Sequence, residues 1–437
     1  MVTVAQSTHN LPLGRVFSER TTLLVYVISA EGKPLMPCKN AVARLLLKGS
    51  KAKVKRRTPF TIKLLVPSTH YVQNVTLGID TGSSKIGSAA VDENGRVLYM
   101  SEVEIRNDIT ARMKRRSKYR RNRRNRKTRY RKARWMNRKN SIKTDRFSPT
   151  MRSKFDSHYK EIMFVNSLLP VSHTVLETAT FDPHLLKDPT LRYRKWGYQR
   201  GTNYGFANTK EFVLYRDGHK CQHCKGKSKI PRLEVHHIIY RSDGGSDEAE
   251  NLITLCSKCH HDLHNGSWEL KSSGRRSLRL RHATQMNSIR QQLLRYVPCE
   301  ETFGYITKEN RLSMGLSKEH YIDAVVIASG GRNIIFSQDR ILLKRCVGDG
   351  DYQQTKGVRS EQRISTCKIM RFRKFDKVRY RGQEYFIKGR MSSGYAVLMD
   401  IAGAKQRLSP TPKLSRMERV GARKTWIMKE TTMQNIA

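Results

Sequence analysis

The stretch Leu77-Gly78-Ile79-Asp80-Thr81-Gly82 decides the fold, because it joins an apolar strand pattern to a carboxylate at the strand's end. The apolar run begins at Val75, and two further strand-like runs follow at 88–91 and 97–103. Asp92-Glu93-Asn94-Gly95 separates those two runs, and an Asn-Gly pair favours a tight hairpin. The sequence therefore predicts three consecutive strands, with the Asp80 carboxylate at the end of the first.

Two later fragments carry matching chemistry. Glu177 ends an apolar run, which predicts a place at the rim of a neighbouring strand, and Asp323 opens an apolar helix with His320 one turn earlier. Convergent carboxylates can hold two Mg²⁺ about 3.5–4 Å apart, which stabilise the transition state of phosphodiester hydrolysis. His320 could position or deprotonate the attacking water. Each residue alone also fits a turn or surface role, but their order favours one split catalytic site of Asp80, Glu177, His320 and Asp323, with the three carboxylates as Mg²⁺ ligands.

A region rich in Cys and His lies between the second and third of these fragments. Two CxxC pairs, 221–224 and 256–259, have the spacing of a closed structural Zn²⁺ site rather than that of disulfides. The predicted zinc ligands are Cys221, Cys224, Cys256 and Cys259. Such a site by itself fits a zinc ribbon that only binds DNA.

Paired histidines inside this region favour a second hydrolytic centre of the ββα-metal type. We expect His237 to be the general base, Asn251 to orient it or to lie on the metal side, and His236 with His260 to hold one Mg²⁺. His264, four residues after His260 on a predicted helix, is a further candidate ligand.

The charge balance predicts a polyanionic partner. The chain has 85 Lys and Arg against 37 Asp and Glu, a net charge of +48, which matches the charge of about 24 base pairs of duplex. Between Arg112 and Lys139 more than half of the residues are basic and none is acidic, Pro or Gly. This predicts a long helix in contact with nucleic acid, although a solvated arm has the same pattern. The candidate contacts are Arg115, Arg116, Arg120, Arg121, Arg123, Arg124, Arg126, Arg129, Arg131 and Arg134.

Other features of the composition indicate an intracellular protein. The chain has no apolar run of about 18 residues, and no basic segment followed by an apolar one at its start, so we expect neither a membrane span nor a secretory signal. The cysteines outside the CxxC pairs are isolated and are expected to be reduced.

In this order, the fragments resemble the IscB family, which comprises transposon-encoded RNA-guided DNA endonucleases related to the ancestors of the type II CRISPR effectors. Pro34-Leu35-Met36-Pro37, which gives the family's N-terminal domain its name, and the Arg-rich run are further points of similarity. The resemblance covers roughly residues 22–430. Lys388 to Gly394 looks like the family's element that reads a short target-adjacent motif.

The resemblance implies an α/β multidomain fold. A ribonuclease H-like (RuvC) mixed sheet would be split by an Arg-rich bridge helix and by a zinc-containing ββα-metal (HNH) insert, with a small N-terminal α+β domain and a small C-terminal β-barrel. The expected segments are 1–72 for the PLMP-type domain, 73–110 for RuvC-like part I, 111–142 for the bridge helix, 143–205 for part II and a linker, 206–270 for the HNH nuclease with its zinc ribbon, 271–345 for part III, and 346–437 for the C-terminal domain that contacts RNA and the target-adjacent motif.

The resemblance also implies a division of labour between the two sites. The HNH site would cut the strand paired to guide RNA, and the RuvC-like site would cut the displaced strand. The expected partners are a large non-coding guide RNA of the omega type and double-stranded DNA, bound by a monomer in a 1:1 ribonucleoprotein in the prokaryotic cytoplasm, at the nucleoid when on DNA. Two alternatives stay open: a protein-guided endonuclease of the restriction or homing type, and a non-catalytic nucleic-acid-binding protein.

Overall fold

The computed structural model describes residues 24–124, 147–201, 203–270, 280–348 and 368–433. The chain divides into two compact units, one of Met1–Ala179 with Met286–Ala437 and one of Thr180–Gln285. The strands are β1 (Leu24–Ile28), β2 (Pro34–Lys39), β3 (Ala52–Arg56), β4 (Thr61–Leu64), β5 (Val75–Asp80), β6 (Lys85–Asp92), β7 (Val97–Glu104), β8 (Val171–Thr178), β9 (Leu233–His237), β10 (Leu252–Cys256), β11 (Glu300–Phe303), β12 (Arg340–Cys346), β13 (Lys377–Tyr380), β14 (Gln383–Arg390), β15 (Ala396–Met399), β16 (Glu418–Gly421) and β17 (Trp426–Thr432). The α-helices are α1 (Asn40–Lys48), α2 (Ile109–Arg124), α3 (Pro149–Asn166), α4 (Pro183–Lys187), α5 (Thr209–Arg216), α6 (Ser257–His264), α7 (Arg281–Tyr296), α8 (Gly304–Ser313) and α9 (His320–Ser329).

A seven-stranded mixed sheet forms the centre of the first unit, in the order β11-β8-β5-β6-β7-β12-β17. The strands β5, β6 and β7 form the predicted antiparallel meander, and β8 runs parallel to β5 on its other side. Apolar side chains of β5, including Leu77 and Ile79, are completely buried, as expected for a strand covered on both faces. This order places the end of β5 beside the end of β8, where two of the predicted carboxylates lie.

Two glycines allow α9 to approach the sheet closely. A Cβ atom at Gly78 of β5 would collide with the backbone of Ala324 and Ala328, and one at Gly87 of β6 would collide with the carbonyl of His320. The helix itself is apolar, since Ala324, Val325 and Ala328 are buried against the strands. The N-terminal turn of α9 therefore lies over the end of β5.

The opposite face of the sheet is covered by α3, which Ser148 caps through a hydrogen bond from the amide of Met151. Phe155, Ile162 and Val165 enter the core. A buried ion pair joins this helix to the sheet, because Lys344 Nζ of β12 lies 2.6 Å from Glu161 Oε2 and both side chains are completely buried.

The N-terminal region contains more strands than the sequence predicted. The apolar runs at 23–28 and 60–65, with a helical pattern at 40–47 between them, predict a βαβ unit, which corresponds to β1, α1 and β4. The strands β2 and β3 complete a four-stranded sheet of order β2-β1-β4-β3. The Pro-Leu-Met-Pro stretch forms β2 at an edge of this sheet, which is where prolines are tolerated in strands.

The C-terminal strands form an antiparallel sheet of order β15-β14-β13-β16, and β17 leaves it to join the central sheet. In the part of the chain that the structure describes, β15 and β16 do not pair. The predicted closure into a barrel is therefore not observed there. Several separate sheets with packed helices confirm the coarser prediction of an α/β multidomain protein.

The second unit is built on the two-stranded sheet of β9 and β10, with His236 opposite Ile253 and His237 opposite Leu252. Val213 of α5 packs with Ala249 and Leu252 in its small core.

Of the predicted bridge helix, α2 covers the part up to Arg124, and the remainder lies outside the described residues. No described helix is both long and apolar enough to span a bilayer.

Candidate functional site

The ends of β5 and β8 bring Asp80 and Glu177 together. The two residues are register partners in the parallel pair, and the hydroxyl of Thr81 donates to the carbonyl of Glu177 over 2.6 Å. This bond ties the two strand ends to each other just past the last pair of the ladder. Both carboxylates therefore lie at the same rim of the central sheet.

The first turn of α9 adds His320 and Asp323 to this rim. His320 Nδ1 lies 2.6 Å from Asp80 Oδ2, and this hydrogen bond raises the pKa of the imidazole. Asp323 pairs with Arg311 of α8, with 2.9 Å between Nε and Oδ1. The structure thus brings together all four residues predicted from three distant fragments.

Crowding of negative charge makes this rim a fitting place for divalent cations. Burial, together with the neighbouring charges of Asp80 and Asp323, raises the pKa of Glu177 to about 7. Burial and Asp80 likewise raise the pKa of Asp323. Carboxylates that repel each other in a partly buried site are stabilised by a hard cation, and oxygen donors are the ligands that Mg²⁺ prefers.

The second unit holds the four predicted zinc ligands close together. The sulfur atoms of Cys221, Cys224, Cys256 and Cys259 lie within 4.8 Å of one another, and all four are free thiols. The cluster is largely buried in a small core with Leu255. Four convergent thiols with this CxxC spacing fit a structural Zn²⁺.

A cluster of histidines lies beside the zinc ligands. Nε2 of His260 is 3.0 Å from Nδ1 of His236 and 3.1 Å from Nε2 of His264. Burial and the two neighbouring rings lower the pKa of His236 to about 4, so this ring is neutral near pH 7. The other ring nitrogen of His260 bonds Glu234 over 2.6 Å, the carboxylate support typical of metal-binding histidines. His264, a further candidate in the sequence, thus completes a three-nitrogen donor set.

The chemistry of this donor set bears on which metal ion it could hold. Three imidazoles suit later transition ions such as Zn²⁺ or Ni²⁺, whereas Mg²⁺ prefers oxygen. A divalent transition ion therefore fits His236, His260 and His264 better than the predicted Mg²⁺.

His237 and Asn251 lie next to this cluster in different roles. His237 Nε2 is 2.8 Å from Asp247 Oδ1. The buried Asn251 side chain accepts from the amide of Ile239 and donates to the carbonyls of Ile239 and Ser246. The expected direct contact of Asn251 with His237 or with the metal side is therefore not observed, because its carboxamide is used to fix the backbone that follows His237.

The Arg-rich helix is only partly described. Arg115, Arg116, Arg120 and Arg121 are exposed on α2, while Tyr119 is buried. Arg123 and Arg124 lie in the last turn, and Arg126, Arg129, Arg131 and Arg134 lie outside the described residues. The described half of the helix thus presents its guanidinium groups to solvent.

Sequence reasoning missed the residues that support both sites. Arg311, Glu234 and Asp247 each contact a predicted site residue across a gap in sequence. Arg311 carries no local signal, since only the packing of α8 against α9 brings it to Asp323. Of these three residues, only Asp247 could have been suggested by its spacing, because it lies four residues before Asn251.

Comparison with known proteins gives two family matches. Residues 25–201 match the family described as RRXRR protein, and residues 221–266 match the HNH endonuclease family. The chain is 36% identical over 61 residues to the type IV methyl-directed restriction enzyme EcoKMcrA of Escherichia coli, which covers 13% of this chain and 22% of that protein. It is 32% identical over 68 residues to anaredoxin of Nostoc sp., covering 16% of this chain and 84% of that protein.

Solved structures give a weaker likeness. Cas9 of Streptococcus thermophilus in complex with the AGAA PAM has a TM-score of 0.32 at 12% identity, covering 50% of this chain and 32% of that one. The complex with the AGGA PAM has a TM-score of 0.31 at 13% identity, with 50% and 31% covered. The chain thus spans less than a third of the restriction enzyme and of these Cas9 chains. Residues 221–266 thus form an HNH endonuclease domain, and the histidine and cysteine clusters described above lie within it.

Proposed function

We propose that this protein is a metal-dependent DNA endonuclease with two hydrolytic sites, directed to its target by a bound guide RNA. The observation that carries the proposal is the HNH family match over the segment that holds His237 beside a three-histidine cluster. The carboxylate rim of the first unit adds a second site with a different donor set. The proposals of a guide RNA and of a different DNA strand for each site are based on the resemblance to IscB proteins.

In the HNH domain, His237 is the proposed general base. Its Nε2 faces Asp247, so the proton sits on that nitrogen and Nδ1 accepts the proton of the attacking water. His236, His260 and His264 would hold a divalent ion, which when bound supplies positive charge to the scissile phosphate. Asn251 fixes the backbone after His237 and thereby orients the base.

At the carboxylate rim, Asp80, Glu177 and Asp323 are the proposed ligands of two Mg²⁺. The ions, when bound, stabilise the charge on the attacking and leaving oxygens. His320 positions water or receives its proton, and Asp80 holds the ring through the 2.6 Å bond. The charge of Arg311 offsets part of the rise in the pKa of Asp323 that burial and Asp80 cause.

The proposed guide is a large non-coding RNA of the omega type in a 1:1 complex with one chain. A polyanion would neutralise the net charge of +48. The DNA that contacts the two cleavage sites is too short to do so alone. The exposed arginines of α2 would bind its phosphates, and the PLMP-type and C-terminal domains would contact RNA and the target-adjacent motif. We place the complex in a prokaryotic cytoplasm, on the nucleoid when it binds DNA.

Cleavage of plasmid DNA tests this proposal. Protein purified with its RNA should linearise a plasmid that carries the matching sequence when Mg²⁺ and a transition ion such as Mn²⁺ are present. A non-matching plasmid is the control. Failure to cut any DNA under these conditions would favour the alternative of a non-catalytic nucleic-acid-binding protein.

A second candidate is a protein-guided endonuclease of the restriction or homing type. The similarity to a methyl-directed restriction enzyme favours it. The two candidates differ in their need for RNA. Protein stripped of RNA by nuclease treatment should lose site-specific cleavage and regain it with added guide RNA; retained site-specific cleavage would support the second candidate.

A further inference from the structure

A run of exposed aromatic side chains precedes the first zinc ligand in the second unit. We call this set the aromatic strip: Tyr193, Trp196, Tyr204 and Tyr215, which are 87%, 60%, 63% and 65% exposed. Aromatic side chains of this size contribute most to stability when they are buried. Four of them held in solvent within one stretch of 23 residues indicate a surface that something else covers.

The backbone beneath the strip is anchored. Asp182 caps α4 by accepting from the amides of His184 and Leu185, and its other oxygen accepts from the hydroxyl of Tyr198 over 2.6 Å. Asp188 caps a 3-10 helix, Pro189–Arg192, whose Leu191 is buried. These contacts fix the backbone just before Tyr193 and at Tyr198, on either side of Trp196.

The charge along the strip is mostly basic, although Asp188 pairs with Arg194 over 3.0 Å and Glu211 lies between Tyr204 and Tyr215. From Pro189 to Lys210 there are basic residues at 192, 194, 195, 200 and 210 and no acidic residue. The guanidinium of Arg194 lies 5.8 Å from the ring centre of Trp196, and that of Arg200 lies 5.4 Å from the ring centre of Tyr204. Each of these two rings thus has a cation beside it.

We infer that the aromatic strip binds unpaired nucleotides of a single-stranded polynucleotide. Aromatic faces stack on bases, and the adjacent arginines contact the phosphates or stack with the same bases. A duplex keeps its bases stacked on one another, so it would use the cations and leave the rings without a partner. An acidic protein partner would also satisfy the cations, but it does not need several exposed flat rings.

This inference rests on the proposed function, since a nuclease that opens a duplex produces single strands near its HNH domain. It adds a binding surface that does not take part in hydrolysis. Binding is measured in metal-free buffer, where no cleavage occurs, so the two proposals fail separately. If the protein cuts its target but single-strand binding does not depend on the aromatic strip, only this inference is contradicted. If single-strand binding depends on the strip but no DNA is cut, only the proposed function is contradicted.

The test compares matched variants of the full chain by fluorescence anisotropy. The probes are a labelled single strand of about 15 nucleotides, as DNA and as RNA, and a duplex of the same sequence, since one aromatic-lined site spans on the order of 4–16 nucleotides. Salt near 0.3 M screens the general attraction to phosphates and leaves stacking. The variants are Trp196→Ala with Tyr204→Ala, the ring-preserving pair Trp196→Phe with Tyr204→Phe, and Tyr71→Ala, a control at another exposed ring.

The alanine pair should weaken single-strand binding by about tenfold or more per ring, while duplex binding changes by less than about twofold. The phenylalanine pair and Tyr71→Ala should bind like the parent protein. The stronger of the DNA and RNA probes identifies the strand that the strip holds. Unchanged binding by the alanine pair, an equal loss on duplex, or an equal loss in the phenylalanine pair would overturn the inference. Zinc content and circular dichroism of each variant establish that the second unit is folded.

Discussion

Lys344 supports the central sheet through a charge that the core completely encloses. Its Nζ lies 2.8 and 2.6 Å from the two carboxylate oxygens of Glu161. The hydroxyls of Ser88 and Ser101 donate to the same carboxylate over 2.6 and 2.7 Å. The change Lys344→Met removes the one cation of this pair and leaves Glu161 buried without its counter-charge.

The expected loss in the free energy of unfolding is about 3–5 kcal/mol, because the remaining carboxylate must stay charged in the core or take up a proton. That is a large share of the roughly 5–15 kcal/mol that stabilises a domain. The matched control is Arg152→Ala, which breaks an ion pair with Asp156 in which the Arg152 side chain is 67% exposed. That loss should stay below about 1 kcal/mol. Adding Glu161→Gln to Lys344→Met should recover part of the stability, since a neutral amide can still accept from both serines.

Urea unfolding of RNA-free protein, followed by tryptophan fluorescence, measures the difference. Trp426 is a local reporter, because its ring centre lies 4.9 Å from Lys344 Nζ. Lys344→Met should shift the midpoint of the corresponding transition far below that of Arg152→Ala. Equal midpoints for the two variants would refute the assignment of a buried, stabilising ion pair.

Three further predictions concern the two sites. Since burial raises the pKa of Glu177 to about 7, protons compete with metal for this carboxylate below that pH. In a His237→Ala protein, the Mg²⁺ concentration for half-maximal nicking should therefore rise by up to about tenfold between pH 7 and 6 and change little above pH 8. A Mg²⁺ requirement that does not depend on pH would contradict this. Cys224→Ser should lower the zinc content by at least one ion per chain and unfold the second unit, as seen by limited proteolysis, with Cys38→Ser as a control that keeps the zinc. Asn251→Ala should abolish nicking by an Asp80→Ala protein while the zinc content stays that of the Asp80→Ala parent, because its three hydrogen bonds fix the backbone after His237. Full nicking would show that Asn251 does not orient the base.

The meander and its carboxylates could be predicted because their signals are local. Apolar runs and the Asn-Gly turn indicate β5 to β7, and Glu177 stands at the end of such a run. Two strands were missed for equally local reasons. Prolines obscure β2, and three of the five residues of β3 are basic. Both lie at edges of the N-terminal sheet, where such residues are tolerated.

The supporting contacts could not be predicted because they depend on packing between distant segments. Lys344 lies in a strand with other basic residues, and nothing in its neighbourhood indicates that its side chain is buried against Glu161 of α3. The sequence around Arg311 likewise does not indicate its contact with Asp323, which depends on the packing of α8 against α9. The expected role of Asn251 needed a similar revision, since spacing brings it near His237 but only the backbone path of 239–246 shows what its side chain holds.

Strand-specific cleavage tests the central claim of two independent sites most directly. A target duplex labelled differently on each strand is incubated with the guide-loaded protein and with Asp80→Ala or His237→Ala. Asp156→Ala, at a half-buried carboxylate, and His261→Ala, at an exposed histidine, serve as controls of the same residue types. The parent and both controls should cut both strands. Asp80→Ala should cut only the guide-paired strand, and His237→Ala only the displaced strand. Loss of both cuts in either variant, or the same surviving strand in the two, would contradict the account.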